Sequence, residues 1–529
     1  MRPFVLIDNT DIDLSAYHLK PSHKRDRSDS PPPDEPDEKH QRVNLAAFIQ
    51  AFSAHQNQPK KVAISSVPPA PSDYSKLENH PFRQEFRDAM QVEFAKLIEM
   101  EAFIPFSTSE MYRSHDQNCT GSSKHCPRHQ VIPMRWVFAY KSDDKGFISK
   151  FKARLCVRGD MQLPADQDTR TSTLASRTFQ TLIAIMTAFD LETYQMDVVN
   201  AFLNSKLDQE VYCHYPPGMG SKGRCLKLKR AVYGLRVAGK RWENDIRSTL
   251  LSINFQHCPD DPCLYHDGKM IIMVFVDDFL ALYHRSDKQH AIDIKRKLRQ
   301  QFEMKDCGEL TQFIGIRIAR DRLNRKTWLD RSAYIEKITA KFHLLNHRTP
   351  RVPLPSQYST TFTSDDKLDD KLINLYQQKC GSTLFPAIWT RPDVAFANQI
   401  LAQHLTKPTV KHMAAVDHLI SYLYGTRDLA ICYDGNWRSA DAFMAASDAS
   451  FGDNHDRKSS EGFVFCLFGG PIEWSSRKQP TITTSKTEAE LLAISQASKH
   501  LYWTIRVFRF IDFDPSHDLV IQCDNKQSI

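Results

Sequence analysis

Two adjacent aspartates interrupt an apolar stretch of the chain, and this feature most limits what the chain can fold into. Residues 273–282 are rich in strand-forming side chains except for Asp277 and Asp278 at the centre. The flanks predict two strands, 271–276 and 279–283, joined by a tight turn that carries both carboxylates. Burying two unpaired charges would be very costly. A solvated surface turn is one interpretation, but the apolar flanks favour a hairpin tip that binds a metal ion.

A third carboxylate lies upstream in a similar setting. Residues 194–203 form another strand-like run, in which Asp197 is the single acidic residue. Carboxylate oxygens suit hard cations such as Mg²⁺. Two such ions, about 3.5–4 Å apart, can activate an attacking oxygen and stabilise a leaving one in phosphoryl transfer. Phe202, shortly after Asp197, is placed to pack under a sugar ring. The three aspartates together predict a two-metal site.

A row of cations lies on a predicted hairpin over residues 135–158. Gly146 sits in the turn, where a positive φ is needed. The period of two in a strand puts Lys150, Lys152 and Arg154 on one face, together with Arg158. Such a row suits a triphosphate or a template backbone. Lysines on a solvated edge strand, where they discourage aggregation, are the alternative interpretation.

These segments, in this order, resemble a reverse transcriptase. Phe-Val-Asp-Asp at 275–278 is similar to the aromatic-x-Asp-Asp motif of the family's palm. Asp197 matches its upstream metal-binding aspartate. Phe202 falls where the family keeps the aromatic residue that blocks a ribose 2′-hydroxyl. Lys-Ala-Arg-Leu at 152–155 resembles a motif of the fingers, which favours triphosphate contact for its two cations.

The resemblance implies an RNA-directed DNA polymerase. Asp197, Asp277 and Asp278 would hold two Mg²⁺ ions, with Mn²⁺ as an alternative, and Lys152 and Arg154 would neutralise the triphosphate. The implied partners are an RNA template, a DNA primer, the RNA–DNA hybrid and deoxynucleoside triphosphates. Binding of the template would be sensitive to salt and largely independent of sequence, because backbone phosphates dominate such affinities.

A longer signature narrows the resemblance to the copia superfamily of retrotransposons. Phe-Glu-Met-Lys-Asp-Cys-Gly-Glu-Leu at 302–310 is similar to the copia signature Phe-Glu-Met-Lys-Asp-Leu-Gly-Glu-Leu. A run of this length is far more specific than a pair of aspartates. Further blocks resemble copia-type sequences at 313–316, 390–394 and 422–426.

One copia-type block departs from the family pattern. Residues 227–236 resemble it, but Val237 stands where Gln is usual and Gly239 where Pro is usual. The departures motivate a second hypothesis, a catalytically decayed nucleic-acid-binding remnant, although all three aspartates are retained. A third hypothesis is a metal-dependent nuclease without polymerase activity.

A second acidic triple follows near the end of the sequence. Asp448 ends a predicted strand, Glu490 lies in the first turn of a predicted helix over 487–508, and Asp524 ends another strand. Each alone is typical of a turn or of a helix N-terminus, but the ordered triple resembles the metal ligands of ribonuclease H. Glu-Leu-Leu-Ala at 490–493 fits the family's Glu-Leu-x-Ala motif, so Glu490 is assigned as the ligand. Glu488 is the alternative candidate. The fourth carboxylate of that fold is missing, which predicts a truncated module with weak or absent hybrid cleavage.

The expected fold class is α+β: a right-hand polymerase with fingers, palm and thumb, followed by a truncated ribonuclease H-like α/β domain. We expect a disordered N-terminal tail at 1–80. Fingers and palm, with the start of the thumb, would occupy 81–350. A mainly helical thumb or connection would occupy 351–440, and the ribonuclease H-like domain 441–529.

Composition limits the setting. The net charge of +7 is compatible with a phosphate-rich partner. The 12 cysteines form no Cys-x-x-Cys pair, which favours a reducing compartment. No signal peptide or apolar span indicates a membrane partner. We expect an intracellular location, in a cytoplasmic virus-like particle with the nucleus as a second site, and the rest of a Gag-Pol polyprotein as a partner.

Residues 115–129 contain histidines and cysteines of the types that bind zinc. Their spacing matches no standard zinc site, so a loop insertion is favoured there.

Overall fold

The computed structural model describes residues 62–63, 66–107, 130–142, 147–163, 169–219, 224–355, 358, 368–437, 442–515 and 519–525. The expected disorder before residue 62 and the candidate zinc ligands lie outside these residues. The strands of the described part, in chain order, are β1 (Phe103–Ser107), β2 (Val131–Ile132), β3 (Met134–Ser142), β4 (Ile148–Val157), β5 (Glu192–Val198), β6 (Lys206–His214), β7 (Arg224–Arg230), β8 (Gln256–His257), β9 (Leu264–His266), β10 (Met270–Phe275), β11 (Asp278–Tyr283), β12 (Met304–Gly308), β13 (Gln312–Phe313), β14 (Ile316–Asp321), β15 (Lys326–Asp330), β16 (Ile431–Asp434), β17 (Phe443–Ser450), β18 (Ser460–Leu467), β19 (Gly470–Lys478) and β20 (Ile521–Gln522).

The α-helices of the same residues are α1 (Arg83–Glu99), α2 (Ser176–Ala188), α3 (Ala238–Ser252), α4 (Lys288–Gln301), α5 (Ser332–Lys341), α6 (Asp370–Trp389), α7 (Ala395–Ala402), α8 (Val410–Gly425) and α9 (Lys486–Phe510). None of the helices in the described residues combines the length and the apolar character needed to cross a membrane.

The chain divides by its contacts into two compact units, and the larger one contains Thr173–Val198 and Leu250–Ile529. Its first sheet has six strands in the order β12-β5-β11-β10-β9-β8. The central hairpin of this sheet, β10–β11, is buried along almost its whole length. This burial explains why its sequence is continuously apolar rather than alternating.

Helix α2 forms the centre of the larger unit. Every residue from Thr178 to Ala188 is buried, as expected of a helix that is apolar on nearly all sides. It packs against β16 and β19. Its side chains share one hydrophobic core with Met273 of β10 and Phe465 of β18.

The larger unit holds two further sheets. The first has the order β13-β14-β15-β16. Helices α5 to α8 pack around a separate core of buried side chains. The second has the order β19-β18-β17-β20, in which β20 runs parallel to β17. Helix α9 packs on β17 and β18.

The region after residue 441 was expected to form a separate domain, but it belongs to the same compact unit as the six-stranded sheet. The reason is the burial of α2, whose apolar surface is covered by this region. A polar contact adds to it, because Arg177 donates from Nη1 to Glu473 Oε1 at 2.9 Å. Trp503 of α9 also donates from Nε1 to the carbonyl oxygen of Asp260 at 3.0 Å.

The smaller unit comprises the described residues up to Ser172 together with Val199–Thr249. It contains the sheet β1-β7-β6-β2, the hairpin β3–β4 and helix α1. Phe86 of α1 is fully buried and packs against Phe138 at a ring-centroid distance of 5.3 Å. The expectation of disorder up to residue 80 is wrong at its end, because Leu77 is fully buried in this unit's core.

Candidate active site

The aspartate pair lies at the tip of the β10–β11 hairpin. Phe275 pairs with Asp278, so Val276 and Asp277 form a two-residue turn. Val276 has a φ of +56°, which a two-residue hairpin turn requires at its first position. A β-branched residue in this region is strained, and strain of this kind is often found at functional sites. The turn fixes the directions in which both carboxylates leave the backbone.

Strand pairing brings the third carboxylate to the same place. Asp197 of β5 is the register partner of Asp278 on β11, and directly paired residues in antiparallel strands have Cα atoms about 4.5–5.5 Å apart. The amide of Val198 donates to the carbonyl oxygen of Asp277 at 2.8 Å. The three aspartates predicted as a metal site therefore meet at one end of the six-stranded sheet.

The electrostatics of this cluster favour a cation. The pKa of Asp278 is raised to about 6, first by burial and then by the negative charges of Asp277 and Asp197. Gln195 partly offsets this by donating from Nε2 to Asp278 Oδ1 at 3.5 Å. Like charges held together with little water compete for protons or cations. Three carboxylates of this kind form a donor set suited to hard divalent ions.

Sequence reasoning missed a neighbour of this cluster. Lys305 of β12 is the register partner of Asp197 on the side opposite β11. The strand then bulges, so Cys307 has no partner on β5 and is exposed. In the sequence, the segment 302–310 indicates the family, and its lysine beside the aspartate is the signal that could have pointed to this pairing.

The two cations predicted to contact a triphosphate lie on β4 in the smaller unit. Lys152 and Arg154 face away from the buried Ala153 and Leu155, as the period of two requires. The pKa of Lys152 is lowered, first by burial and then by the positive charges of Arg154 and other neighbouring cations. This crowding of partly desolvated positive charge favours an anionic ligand. The hairpin turn at 143–146 lies outside the described residues.

Phe202, the predicted sugar gate, lies in a 3₁₀ turn, Ala201–Asn204, of the smaller unit. The turn starts at Asn200, which has a φ of +53°, a conformation that Asn tolerates. The side-chain amide of Asn204 donates to the carbonyl oxygens of Asn200 at 3.3 Å and of Ala201 at 3.2 Å, which closes the turn. Phe202 contacts Tyr233, with ring centroids 4.9 Å apart, a contact that the sequence did not predict.

The two departures from the copia pattern have structural explanations. Val237 is buried in the core of the smaller unit. A Cβ atom on Gly239 would overlap the side chain of Thr171. A longer residue at position 239 would therefore displace the Thr171 side chain. Both substitutions fit the local packing of this chain.

The second acidic triple also comes together. β17 and β20 run parallel with Ala446 opposite Gln522, so Asp448 and Asp524, each two residues further on, lie at the same end of neighbouring strands. The pKa of Glu490 is raised, first by burial and then by the charge of Asp448, with a smaller contribution from Asp524.

Cys523 adds a thiol to this second cluster, and sequence reasoning missed it. The thiol donates to Glu490 Oε2 at 3.8 Å. Donor atoms of Glu490, Cys523 and Asp524 lie within 4.8 Å of one another, and in the described residues no other three such groups do. This tight group does not include Asp448, and the three carboxylates at the β10–β11 tip do not meet the same distance either.

Glu488, the alternative candidate, has a different position. Its carboxylate accepts hydrogen bonds from the Thr484 amide at 2.6 Å and hydroxyl at 2.8 Å. Ser485 caps the helix by accepting from the Glu488 amide at 3.1 Å. Glu488 thus closes the N-terminus of α9, while Glu490 faces the other two carboxylates.

Comparison with known proteins gives the family. Residues 123–356 match the family described as Reverse transcriptase (RNA-dependent DNA polymerase). A putative transposon Ty5-1 protein of Saccharomyces cerevisiae is 31% identical over 316 residues, which cover 57% of this chain and 98% of that protein. The chain belongs to the reverse transcriptases of copia-type retrotransposons. The family resemblance seen in the sequence motifs is thereby confirmed.

Longer relatives of this chain are Pol polyproteins of plant transposons. The Retrovirus-related Pol polyprotein from transposon TNT 1-94 of Nicotiana tabacum is 29% identical over 474 residues, covering 87% of this chain and 34% of that protein. The corresponding polyprotein from transposon RE2 of Arabidopsis thaliana is 31% identical over 410 residues, covering 75% of this chain and 28% of that protein. The chain thus spans about a third of the length of these relatives.

Among solved structures, a foamy viral protease-reverse transcriptase in complex with an RNA/DNA hybrid is similar to this chain. The similarity covers 91% of this chain and 60% of that chain, at 13% identity and a TM-score of 0.45.

The region 123–356, which matches the reverse transcriptase family, contains Asp197, Asp277 and Asp278, as well as both cations of β4. A polymerase-type fold of mixed α and β structure follows from the family and from the elements described above.

Proposed function

We propose that the chain is an RNA-directed DNA polymerase whose Asp197, Asp277 and Asp278 hold the divalent cations used in nucleotidyl transfer. The observation that carries the proposal is the pairing of Asp278 with Asp197, directly beside the hairpin tip that carries Asp277. Membership in the reverse transcriptase family supports it. The raised pKa of Asp278 supports it as well, because it reports closely spaced negative charge.

The cation we propose is Mg²⁺, with Mn²⁺ as a substitute, because all three ligands are carboxylates. Bound as a pair, such ions supply activation of the primer 3′-hydroxyl and neutralisation of charge on the leaving oxygen. The strained hairpin holds Asp277 and Asp278 in place before substrate arrives. Such preorganisation lowers the cost of charge stabilisation during the reaction.

The substrate contacts we propose lie in the smaller unit. Lys152 and Arg154 neutralise the triphosphate of the incoming deoxynucleotide, for which the lowered pKa of Lys152 is a supporting observation. Phe202 packs against the deoxyribose and excludes a 2′-hydroxyl. An RNA template and a DNA primer are the proposed partners, and their phosphates make binding dependent on salt.

For the subdomains, we propose that the six-stranded sheet is the palm and the β3–β4 hairpin part of the fingers. Helices α5 to α8 would then form the thumb and connection. The sheet β17–β20 with α9 is proposed as a truncated ribonuclease H-like module, in which Asp448, Glu490 and Asp524 would hold cations but hybrid cleavage would be weak or absent. The convergence of these three groups supports this assignment.

Primer extension on poly(rA)/oligo(dT) with Mg²⁺ tests the polymerase proposal. We expect the wild-type protein to extend the primer, and Asp277→Asn to lose about 10³-fold or more of this activity while still binding the hybrid. The matched control is Asp293→Asn, which removes a carboxylate of a surface ion pair with Arg296 on α4. A wild-type protein that binds the hybrid but extends no primer would instead indicate a nucleic-acid-binding remnant.

A further inference from the structure

Tyr233 connects two side chains that come from different segments of the smaller unit. The guanidinium carbon of Arg154, on β4, lies 4.2 Å from the centroid of the Tyr233 ring. The ring of Phe202 lies 4.9 Å from the same ring, at an interplanar angle of 67°. One aromatic ring therefore determines how far apart the cation of Arg154 and the ring of Phe202 can be.

The backbone of Tyr233 is held firmly. Its carbonyl oxygen accepts a hydrogen bond from the Val157 amide at 2.8 Å. The next residue, Gly234, has a φ of +85°, and a Cβ atom there would overlap the carbonyl oxygen of Val157. A Cβ atom on Gly159 would in turn overlap the carbonyl oxygen of Gly234. The end of the β3–β4 hairpin and the Tyr233 segment thus meet backbone against backbone. These contacts fix the position of the Tyr233 backbone, from which the ring extends.

The position of Arg154 depends on this ring. In the described part of the chain, Arg154 takes part in no ion pair with a carboxylate, and its guanidinium lies against the Tyr233 ring. A guanidinium resting on an aromatic face keeps its N–H donors, which lie in its own plane, available at the edge. Such donors can bind two oxygens of a phosphate at once.

We propose that Tyr233 is a positioning residue that determines sugar specificity. Its ring sets the distance between Arg154, which holds the triphosphate, and Phe202, which packs against the sugar. With the triphosphate anchored on one side of the ring and Phe202 held on another, the sugar pocket is too narrow for a 2′-hydroxyl. The enzyme therefore selects 2′-deoxynucleoside triphosphates over ribonucleoside triphosphates. This inference rests on the proposed polymerase function.

The test compares Tyr233→Leu, which removes the ring, with Tyr233→Phe, which keeps it. On poly(rA)/oligo(dT), kcat and KM are measured for dTTP and for UTP. We expect Tyr233→Leu to raise KM for dTTP about tenfold, the value of one cation–π contact, with kcat nearly unchanged. The preference for dTTP over UTP, taken as the ratio of kcat/KM values, should fall about tenfold. Tyr233→Phe, which keeps the ring, should keep the wild-type preference for dTTP over UTP.

A purely structural role for Tyr233 predicts a different result. Tyr233→Leu would then lower the thermal midpoint and the amount of active enzyme but leave the dTTP-to-UTP preference unchanged, and this outcome overturns the inference. Should the leucine variant not fold, Tyr233→Met offers similar reach without a ring and carries the same expectation.

A double-variant measurement isolates the coupling. Phe202→Ala alone should also relax the sugar preference, and the double variant with Tyr233→Leu should relax it no further, because both act on one pocket. Fully additive effects on the preference would overturn the inference. A wild-type protein that extends no primer contradicts the proposed function itself, and so differs from these outcomes.

Discussion

The two carboxylate clusters are built by different kinds of backbone geometry. In the first, Asp197 and Asp278 are direct partners on adjacent antiparallel strands within a six-stranded sheet. In the second, Asp448 and Asp524 lie beyond a short parallel pairing, and Glu490 joins them from the first turns of α9. A long register with strands on both sides fixes side-chain positions more firmly than a two-residue strand at a sheet edge.

This difference predicts which cluster is more sensitive to substitution. The first cluster combines a strained backbone at Val276 with closely spaced negative charge at Asp278. The burial of the hairpin stabilises the fold enough to hold both. The second cluster depends on a helix cap and a short strand, which cost less to rearrange. We therefore expect single substitutions in the first cluster to change both activity and stability. In the second cluster, we expect them to act mainly by removing a metal ligand.

The largest expected effect separates the two sites. Asp197→Asn should lower primer extension about 10³-fold or more while leaving any cleavage of RNA in a hybrid unchanged, because it removes one charged ligand from the first cluster only. Asp448→Asn should leave primer extension unchanged and remove any hybrid cleavage that the wild type shows. Parallel assays of extension and of hybrid cleavage check this. Loss of both activities in either variant would show that the clusters are not independent.

Glu490→Gln and Glu488→Gln form a matched pair within the second cluster. Glu490→Gln should remove any hybrid cleavage that the wild type shows, because Glu490 faces Asp448 and Asp524. Glu488→Gln should leave cleavage intact and lower only the thermal midpoint, because Glu488 closes the N-terminus of α9. Greater loss of cleavage from Glu488→Gln than from Glu490→Gln would reverse the assignment of the two residues.

Ionisation of Asp278 should destabilise the apo protein. Its pKa is raised from 3.8 to about 6, so between these values the folded state binds more protons than the unfolded chain. The free energy of unfolding must therefore fall as pH rises through this window. Allowing for solvent screening at this partly exposed side chain, we expect a loss of about 1–2 kcal/mol.

Thermal unfolding in EDTA at pH 5 and pH 7.5 measures this loss. Asp278→Asn should reduce the pH dependence, and Mg²⁺ should restore wild-type stability at pH 7.5. An equal pH dependence in the wild type and in Asp278→Asn would mean that the carboxylates are not crowded in solution.

The smallest effect concerns the hairpin tip. At the positive φ of Val276, Gly avoids a clash that Ala cannot, so Val276→Gly should be more stable than Val276→Ala by about 1 kcal/mol. Urea unfolding of the two variants checks this value. Equal stability of the two would indicate that the turn relaxes to a negative φ when the valine is removed.

The candidate site was largely predictable where its groups lie on regular, strongly patterned strands. The apolar runs around Asp197 and Asp277 located the strands, and the alternation in β4 placed Lys152 and Arg154 on one face. The expected strand over 271–276 ends one residue early in the structure, because Val276 belongs to the turn. The pairing of Lys305 with Asp197 and the contact of Tyr233 with Arg154 were missed, since the partners are distant in sequence.

The sequence by itself determined the family, the strands that carry the carboxylates and the residue types at both clusters, because local patterning and short motifs contain that information. Only the tertiary structure decided that Asp278 pairs with Asp197, that Glu488 caps a helix while Glu490 faces the cluster, and that α2 shares one core with Phe465. Register, side-chain direction and shared burial depend on contacts between residues far apart in the chain, and no local pattern encodes which distant partner closes each contact.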